Sequence, residues 1–498
     1  MSLLSFLSKP IASYMANLLR QDAMNAVALQ EKIFRKLIRK AKHTAFGKDH
    51  RFKEIKTYDD FISRVPVRDY EAMKPYIDRM LSGESNILWP GVPLYVSKTS
   101  GTTSGIKYIP ITADSISNHI NSTRNAMLSY IAETGKADFL KGKLIFISGS
   151  PALDEKNGLK IGRLSGIVNH HVPGYLRRNQ LPSWDTNCIE DFEEKIDHIV
   201  SETINENMSM ISGIPPWVQM YFDKLVSKTG KKIKDIFPGF TLFIYGGVNY
   251  EPYRQKFEQT IGKKIDSIEL YPASEGFIAF QDLQKKTDLY LNINSGIFFE
   301  FIPASEYFSE NPKRISLKDV NPGVHYAIIV NNNAGLWGYS LGDTIKFTSV
   351  NPYRIVVTGR IKHQITAFGE HVIAEEVQHA LLDACAKHKA HVVEFTLAPQ
   401  VTPPDGEKPY HEWFIEFDQL PEDIAAFSTT LNKSLMQQNI YYKDLIEGHV
   451  LQPLKIRLMK RDSFINYMRS QGKLGGQNKL PRLSNERSIA DELEQWIL

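Results

Sequence analysis

A run of serine, threonine and glycine residues extends from Thr99 to Gly105 and is followed, after one isoleucine, by Lys107. It follows the apolar residues 94–96 after Ser97 and Lys98. Glycines let the backbone fold tightly enough for several N–H groups to converge on one anion, while hydroxyls add donors and lysine adds charge. The run therefore predicts a polyphosphate site, although it has neither Walker A nor G-x-G-x-x-G spacing. A flexible surface turn is the alternative for such a run in isolation.

Three further segments carry polar residues suited to a nucleotide. Glu275 ends the segment Tyr271–Glu275, and an acidic residue beyond a strand can hold Mg²⁺ beside phosphates. Asp343 follows a glycine, where its carboxylate can accept both hydroxyls of a ribose. Lys479 lies in a glycine-rich tail, which suits either a mobile catalytic loop or a frayed chain end. Each signal is weak alone, since loop carboxylates and lysines are most often simply solvated.

Compact apolar runs precede several of these polar turns. They occupy residues 144–147, 240–245 and 268–271, and each is followed by glycine or serine and then by a segment with helical spacing. Short apolar strands that alternate with helices are typical of an α/β sheet buried on both faces. Ligands of such sheets bind beyond the carboxyl ends of the strands, which is where Gly246-Gly247 and Glu275 fall.

The pattern of apolar and polar residues changes twice along the chain. Residues 21–43 have the spacing of one amphipathic helix, and residues 287–358 are rich in strand-like text. Gly359-Arg360 then marks a candidate boundary, beyond which helices and strands alternate in a small α+β region. We therefore predict a large domain at 1–361 and a small domain at 362–498.

Composition narrows the function classes. The 498 residues include 60 basic and 56 acidic ones, and the formal net charge of +4 is too balanced for nucleic acid to be the main partner. Two distant cysteines favour reduced thiols, and no apolar run approaches 18 residues, so we expect a cytoplasmic protein without stable membrane insertion. The N-terminal 20 residues are expected to form a surface helix or, as the alternative, a weakly membrane-touching one. The oligomeric state, monomer or dimer, stays open.

The order of these segments resembles that of the adenylate-forming superfamily, which includes acyl-CoA synthetases, luciferases and nonribosomal adenylation domains. The closer resemblance is to the auxin-responsive Gretchen Hagen family of acyl acid–amido synthetases, and it spans nearly the whole chain. It includes the texts Gln30–Ile33, Phe46–Lys48, Val65–Tyr70, Leu88–Gly91 and Lys98–Gly105. The serine-threonine-glycine run is the most specific element, and Y-x-x-G-D is the least.

The resemblance implies a role for each matching position. The residues implied to contact ATP are Ser100, Gly101, Thr102, Thr103, Ser104, Lys107, Gly246, Gly247, Tyr271, Ser274, Asp343 and Arg360. Within this set, Gly246, Gly247 and Tyr271 would line the adenine site, and Asp343 would hold the ribose with Arg360 close by. Glu275 would bind Mg²⁺, Lys362 would be the hinge of a mobile small domain, and Lys479 would reach the α-phosphate.

Two departures from the family pattern stand out. Pro272-Ala273 replaces the usual Ala-Ser, and Ser340 stands where many members carry arginine. The chain is also shorter than typical plant members, so plant-hormone substrates do not follow from the resemblance. The helix text at 115–130 and the segment 147–171 are expected to contribute to the acid pocket.

The expected fold is thus α/β, with the adenylate-forming architecture of a large α/β domain with a β-rich portion and a small mobile α+β domain. The expected enzyme uses ATP and Mg²⁺ to activate a small carboxylic acid as acyl-AMP, then transfers the acyl group to an amino acid or another amine. An acyl-CoA ligase with the same first half-reaction is the alternative. A nucleotide-binding regulatory or scaffold protein is the non-enzymatic one.

Overall fold

The structure is a computed structural model, and it describes residues 3–100, 106–247, 250–361, 364–365, 367–368, 370, 372–403, 407–448, 450–474 and 480–498. The chain divides into two units, whose limits fall within a helix near residue 257 and a strand near residue 356. The first unit contains Met1–Val248 and Glu258–Val356, and the second contains Asn249–Phe257 and Val357–Leu498.

The helices are, in chain order, α1 (Leu3–Met24), α2 (Ala26–Ala41), α3 (Ala45–Asp49), α4 (Tyr58–Arg64), α5 (Tyr70–Leu81), α6 (Ile116–Thr134), α7 (Leu164–Asn169), α8 (Gly174–Arg177), α9 (Trp184–Cys188), α10 (Phe192–Thr203), α11 (Pro215–Thr229), α12 (Ile233–Ile236), α13 (Glu251–Ile261), α14 (Ala374–His388), α15 (Ile424–Gln438), α16 (Ile440–Glu447), α17 (Ser463–Ser470) and α18 (Ser488–Leu493).

The strands are β1 (Tyr95–Ser100), β2 (Ile106–Ile111), β3 (Lys143–Phe146), β4 (Asp154–Lys156), β5 (Leu159–Gly162), β6 (Gln180–Leu181), β7 (Met208–Ser212), β8 (Leu242–Gly246), β9 (Asp266–Ala273), β10 (Gly276–Phe280), β11 (Leu289–Leu291), β12 (Ile297–Pro303), β13 (Ile315–Ser316), β14 (His325–Asn332), β15 (Tyr339–Val350), β16 (Tyr353–Arg360), β17 (Gln364–Ile365), β18 (Val372–Ile373), β19 (His391–Gln400), β20 (Tyr410–Gln419) and β21 (Lys455–Leu458).

One large sheet organises the first unit, in the strand order β13-β12-β14-β15-β16-β11-β10-β9-β8-β7-β3-β6. The strands β9, β8, β7, β3 and β6 pair in parallel. Antiparallel pairs join β9 to β10, β10 to β11, β11 to β16, β12 to β13, β12 to β14 and β14 to β15. The buried apolar runs predicted as strands of an α/β sheet are β3, β8 and β9, and the strand-rich stretch after residue 287 supplies the antiparallel part. A smaller sheet, β2-β1-β5-β4, carries the serine-threonine-glycine run.

The N-terminal residues form two helices, α1 where a surface helix is predicted for the first 20 residues and α2 within the amphipathic helix predicted for 21–43, although α1 extends into the latter range. Asn25 interrupts the helical backbone between α1 and α2, and α2 buries its apolar face, including Ile33, Phe34 and Leu37. α1 lies against α6 and leaves Leu7 and Ile11 exposed. Among the described residues, no helix has both the length and the apolar character needed to cross a membrane.

A buried ion pair stabilises the antiparallel part of the large sheet. Glu300 on β12 is fully buried and accepts two hydrogen bonds from Arg314, at 3.0 and 2.6 Å, besides others from Tyr58 (2.8 Å) and Asn331 (2.6 Å). Arg314 is itself nearly buried and donates a further hydrogen bond to the Val65 carbonyl. Removal of one partner would leave a charge without compensation in a region that excludes water.

Arg314→Leu is therefore expected to lower the free energy of unfolding of the first unit by about 3–5 kcal/mol. Urea unfolding followed by tryptophan fluorescence measures the effect. Arg35→Leu is the matched control, because Arg35 also pairs with a glutamate, Glu31, but both side chains are more than half exposed. Equal shifts of the two unfolding midpoints would contradict a special role for the buried pair.

The second unit is built on the sheet β19-β20-β21, with α14 and α15 packed together over an apolar core. That core includes Phe395, Trp413, Phe427 and Leu431. The alternation of helices and strands predicted for the small α+β region is present as α14, β19, β20, α15, β21 and α17, with α16 and α18 as further helices. The predicted limit between domains at residue 361 stays a prediction.

Candidate nucleotide-binding active site

The Y-x-x-S-E element lies on a β-hairpin at the end of the parallel strands. β9 runs parallel to β8 and turns back into β10 at Ser274-Glu275. Ser274 is buried, and its Oγ lies 3.0 Å from Oγ of Ser97 on β1. The hairpin turn is thereby fastened to the strand that leads into the serine-threonine-glycine run.

That run connects the antiparallel strands β1 and β2, which pair from Tyr95 opposite Ile111 to Ser100 opposite Ile106. β1 continues through Thr99 and Ser100, so the hairpin is longer than the apolar text 94–96 indicated. The Lys107 ammonium lies 5.7 Å from the ring centroid of Tyr70. Gly101, Thr102, Thr103 and Ser104, like the side chain of Ser100, lie outside the described residues, and their roles stay predictions.

The Y-x-x-G-D element lies on β15 at a β-bulge. The register of β14 with β15 shifts between Ala327 and Ile329, opposite the part of β15 that holds Gly342. Gly342 has φ +76°, a conformation that side chains other than glycine rarely adopt. Bulges of this kind re-aim a side chain next to a binding site, and here the residue that follows Gly342 is Asp343.

Asp343 and Tyr271 are joined directly. The Tyr271 hydroxyl donates a hydrogen bond of 2.6 Å to the Asp343 carboxylate, across 72 residues of sequence. The ribose candidate and the adenine candidate are therefore neighbours in the fold. The structure shows how the two motifs meet; the nucleotide contacts themselves stay predictions.

Tyr339 is a site residue that the sequence reading did not include. It is 1% exposed. Burial, and then the neighbouring Glu275 charge, raise the pKa of the Tyr339 hydroxyl well above its ordinary value. The hydroxyl therefore stays protonated near pH 7. Its signal in the sequence was its place as the first residue of Y-x-x-G-D.

Two asparagines at the end of β14 support this corner of the site. The Asn332 amide donates a hydrogen bond of 2.6 Å to the backbone carbonyl of Glu275. The Asn331 side chain accepts one of 2.6 Å from the Gly338 N–H, directly before Tyr339. Both asparagines are 1% exposed. They fix the backbone at Glu275 and beside Tyr339 and so position both residues.

Gly246 is the last residue of the parallel strand β8, and Gly247 follows it. A Cβ on Gly246 would lie 2.5 Å from the Leu270 carbonyl oxygen, so a larger residue would push β8 away from β9. Gly247 has φ +83°. Arg360 ends β16 and is exposed. Lys362 and Lys479 lie outside the described residues, and the hinge and α-phosphate roles stay predictions.

The helix expected to contribute to the acid pocket is α6, and two of its polar side chains are used within the fold. Asn118 accepts a hydrogen bond from the Phe277 N–H and donates one to the Ser295 carbonyl. The Tyr130 hydroxyl donates to Asp266. His119 is buried, no described residue forms a hydrogen bond with its Nδ1, and burial lowers its pKa to about 4. It is therefore neutral near pH 7.

The donor set suits a metal that takes most of its ligands from elsewhere. Glu275 offers one partly buried carboxylate, and the described residues contain no group of three or more His, Cys, Asp or Glu side chains that could hold a metal ion. Mg²⁺ is usually bound in this manner, by one or two carboxylates together with phosphate oxygens and water. The residues present therefore fit Mg²⁺ that arrives with a nucleotide.

Three family models match the chain: the GH3 family N-terminal domain at residues 15–188, the GH3 family central domain at 290–360 and the GH3 family C-terminal domain at 375–488. Together they match well over half of the chain. The chain belongs to the GH3 family. This membership confirms the predicted resemblance to the Gretchen Hagen family.

Individual relatives of this GH3 protein agree with the family models. It is 23% identical over 498 residues to jasmonoyl–L-amino acid synthetase JAR4 of Nicotiana attenuata, with 85% of each chain covered. It is similar to the solved GH3.15 acyl acid amido synthetase, with TM-score 0.79 and 17% identity over 97% of this chain and 96% of that one. It is also similar to a 2-hydroxyisobutyryl-CoA ligase solved with 2-HIB-AMP, with TM-score 0.61 and 13% identity over 95% and 92% of the chains. These likenesses confirm the predicted adenylate-forming fold.

Proposed function

We propose that this GH3 protein is an ATP-dependent acyl acid–amido synthetase. A small carboxylic acid and ATP give acyl-AMP and diphosphate; an amine, most simply an amino acid, then displaces AMP and forms the amide. The observation that carries the proposal is the meeting of the Y-x-x-S-E and Y-x-x-G-D elements through the Tyr271–Asp343 hydrogen bond. The GH3 family and the amido synthetases among its members agree with the predicted enzyme class, a ligase that forms carbon–nitrogen bonds.

The chemistry explains why such residues are needed. A carboxylate is a poor electrophile, and it repels the phosphates that it must approach. When its oxygen bonds to the α-phosphorus, the bond to diphosphate breaks, and AMP becomes a good leaving group for the next step. Asp343 would hold the ribose, backbone N–H groups of residues 100–104 would cradle the phosphates, and Lys479 would neutralise charge at the α-phosphate. Glu275 would hold Mg²⁺, which supplies positive charge beside the phosphates when it is bound.

The second half-reaction needs an amine to enter without hydrolysis of the acyl-AMP. A small domain that moves between the two half-reactions would satisfy both needs, and we place its limit at residue 361 and its hinge at Lys362. We also propose a cytoplasmic location, since the two cysteines are unpaired thiols and burial raises the pKa of Cys385 to about 12.

Carboxylate-dependent exchange of radioactive diphosphate into ATP tests the first half-reaction. A library of carboxylic acids, supplied one at a time with Mg²⁺, also identifies the acid. Exchange with at least one acid is expected, whereas nucleotide binding without exchange from any acid would favour a regulatory or scaffold protein. AMP release is then measured with a mixture of amino acids and, separately, with CoA as the acceptor. An amido synthetase releases AMP with the amino acids, whereas an acyl-CoA ligase releases it with CoA.

Asp343→Ala is expected to raise the KM for ATP by about 10- to 100-fold, because the charge-assisted contact to two ribose hydroxyls is worth about 1.5–3 kcal/mol. The selectivity among acids should not change. ATP titration of diphosphate exchange at saturating acid measures the effect. Asp319→Ala is the control, because Asp319 is a carboxylate on the same unit that hydrogen-bonds Ser316 away from both motifs. An unchanged KM for ATP in Asp343→Ala would contradict the ribose assignment.

A further inference from the structure

The β-bulge that contains Asp343 interrupts the pairing of two central strands. β15 is in register with β14 at Thr344 and again at Ser340. Between these points β14 contributes one residue, Ile328, whereas β15 contributes three, at 341–343. The backbone groups of these three residues lose their regular ladder partners on β14, so the shape of the bulge depends on hydrogen bonds from elsewhere.

Ser340 lies directly before the bulge and holds it through its side chain. The Ser340 hydroxyl accepts a hydrogen bond of 3.3 Å from the Gly342 N–H, two residues along the chain. Serine hydroxyls commonly bind a nearby backbone N–H in this way and so offer the chain an alternative to the ladder. Gly342 supplies the conformation that the turn needs, since its φ of +76° is rare for other residues.

The Tyr307 hydroxyl holds the serine in turn. Tyr307 lies beyond the end of β12, and its hydroxyl donates a hydrogen bond of 2.8 Å to the Ser340 oxygen. That oxygen has two lone pairs, which the Gly342 N–H and the Tyr307 hydroxyl can both occupy. Ser340 is 5% exposed, so water competes little with either donor. The Ser340 N–H also donates to the Arg68 carbonyl at 2.8 Å, so backbone and side chain are both fixed.

We propose that Ser340 and Tyr307 are positioning residues that shape the bulge so that the Asp343 carboxylate faces the ribose. The inference rests on the proposed function, because it takes Asp343 as the residue that binds the ribose. The direction of the Asp343 side chain is marked by the Tyr271 hydroxyl, which donates to the carboxylate at 2.6 Å. The bulge therefore has to bring the carboxylate to that hydroxyl and to the sugar together.

Preorganisation explains why the bulge matters for binding. An aspartate on a backbone segment without ladder partners would sample several directions, and a ligand that selects one of them loses affinity to the ordering. Two hydrogen bonds to one buried serine oxygen remove this freedom before the nucleotide arrives. Their loss should weaken recognition of the ribose hydroxyls and leave the fold of the sheet intact.

The affinity for ATP, compared with that for 2′,3′-dideoxy-ATP, tests this role, because the second nucleotide lacks both hydroxyls that would donate to Asp343. Calorimetric titration with Mg²⁺ present should show that the natural chain prefers ATP by about 10- to 100-fold. Ser340→Ala should reduce this preference about 5-fold, the effect of roughly one hydrogen bond. The affinity for dideoxy-ATP should stay the same.

Two further variants and a control accompany Ser340→Ala. Ser340→Thr keeps the hydroxyl and should retain most of the preference, whereas Tyr307→Phe removes one of the two donors and should reduce it about 2- to 3-fold. Ser209→Ala is the matched control, because Ser209 is buried on β7 of the same sheet and its hydroxyl donates to the Phe139 carbonyl at 2.6 Å. It should change neither affinity.

A double variant tests whether the serine acts through the carboxylate. In an Asp343→Ala background, Ser340→Ala should have no further effect on the preference, since the group that it positions is gone. A purely structural serine would lower the thermal midpoint of Ser340→Ala and leave the preference for ATP unchanged at temperatures where the chain is folded. That result, or an additive loss in the double variant, would overturn the proposal.

The same titrations separate this inference from the proposed function. If the natural chain prefers ATP to dideoxy-ATP but exchanges diphosphate with no acid, the synthetase proposal fails, and the preference of the variants still decides the role of Ser340. If exchange occurs but the two nucleotides bind equally well, the synthetase stands, and the ribose assignment and this inference are both wrong. If neither nucleotide binds, both proposals are wrong.

Discussion

Lys479→Ala is expected to form acyl-AMP about 10²–10³ times more slowly than the natural chain, because one preorganised donor at a developing negative charge is typically worth that factor. In the arrangement that forms the adenylate, the ammonium would face the carboxylate, the α-phosphate and the departing diphosphate. Amide formation from chemically supplied acyl-AMP should be far less affected, since the small domain would by then have carried the tail away. Rapid-quench measurement of the two half-reactions separates the effects.

Lys473→Ala is the control for this variant, because it removes the same charge from the same glycine-rich tail six positions earlier. It should slow neither half-reaction by more than a few-fold. Lys362→Pro should show the opposite pattern to Lys479→Ala, since a rigid hinge would retain the adenylating arrangement and slow amide formation. If Lys479→Ala and Lys362→Pro slow both half-reactions equally, a fixed active site is the better description.

The parallel half of the large sheet was predictable because its strands are buried on both faces. Residues 144–147, 240–245 and 268–271 are apolar except for Thr241 and Glu269, and each becomes a strand close to its predicted position. β7 has a weaker signature, because two of its five residues, Ser209 and Ser212, are serines. Its neighbours β3 and β8 bury it all the same, so its environment rather than its own pattern makes it a core strand.

Some residues in the segments that resemble the family stabilise the fold, and only the structure shows how. Gln30, in the segment Gln30–Ile33, is 2% exposed on α2. Its amide donates to the carbonyls of Ile293 and Ile297 and accepts from the Phe299 N–H, so it satisfies backbone groups at the start of β12. A glutamine in an amphipathic helix gives no sign of partners more than 260 residues away.

The Tyr271–Asp343 hydrogen bond, which joins the two motifs, could not be predicted for the same reason. Sequence order placed Tyr271 and Glu275 in one motif and Tyr339 and Asp343 in another, and it favoured roles within each motif. The β-bulge at Gly342 decides which way Asp343 faces, and its register depends on pairing with β14. Which residues carry the chemistry was thus predictable from type and order, whereas which residues hold them in place required the strand pairing.

Glu275→Gln is expected to lower the rate of diphosphate exchange about 100-fold at limiting Mg²⁺, since even the partners of a metal ligand are worth about 10- to 100-fold. The amide keeps the size of the side chain but removes the negative charge that would bind the ion. Asn332 still donates to the backbone carbonyl of residue 275, so the fold should be retained and the thermal midpoint should change little. Excess Mg²⁺ should recover part of the lost rate, because the remaining ligands come from phosphate and water.

Exchange measured over a wide range of Mg²⁺ concentrations, with one acid that the natural chain accepts, provides the measurement. Glu269→Gln is the matched control: Glu269 lies on β9 of the same hairpin and receives a hydrogen bond from Tyr245, but it precedes the motif. It should leave the Mg²⁺ requirement unchanged. A Glu275→Gln variant that retains the natural rate at limiting Mg²⁺ would show that the metal is held elsewhere, and the Asn332 hydrogen bond to the Glu275 carbonyl would then serve the hairpin rather than the ion.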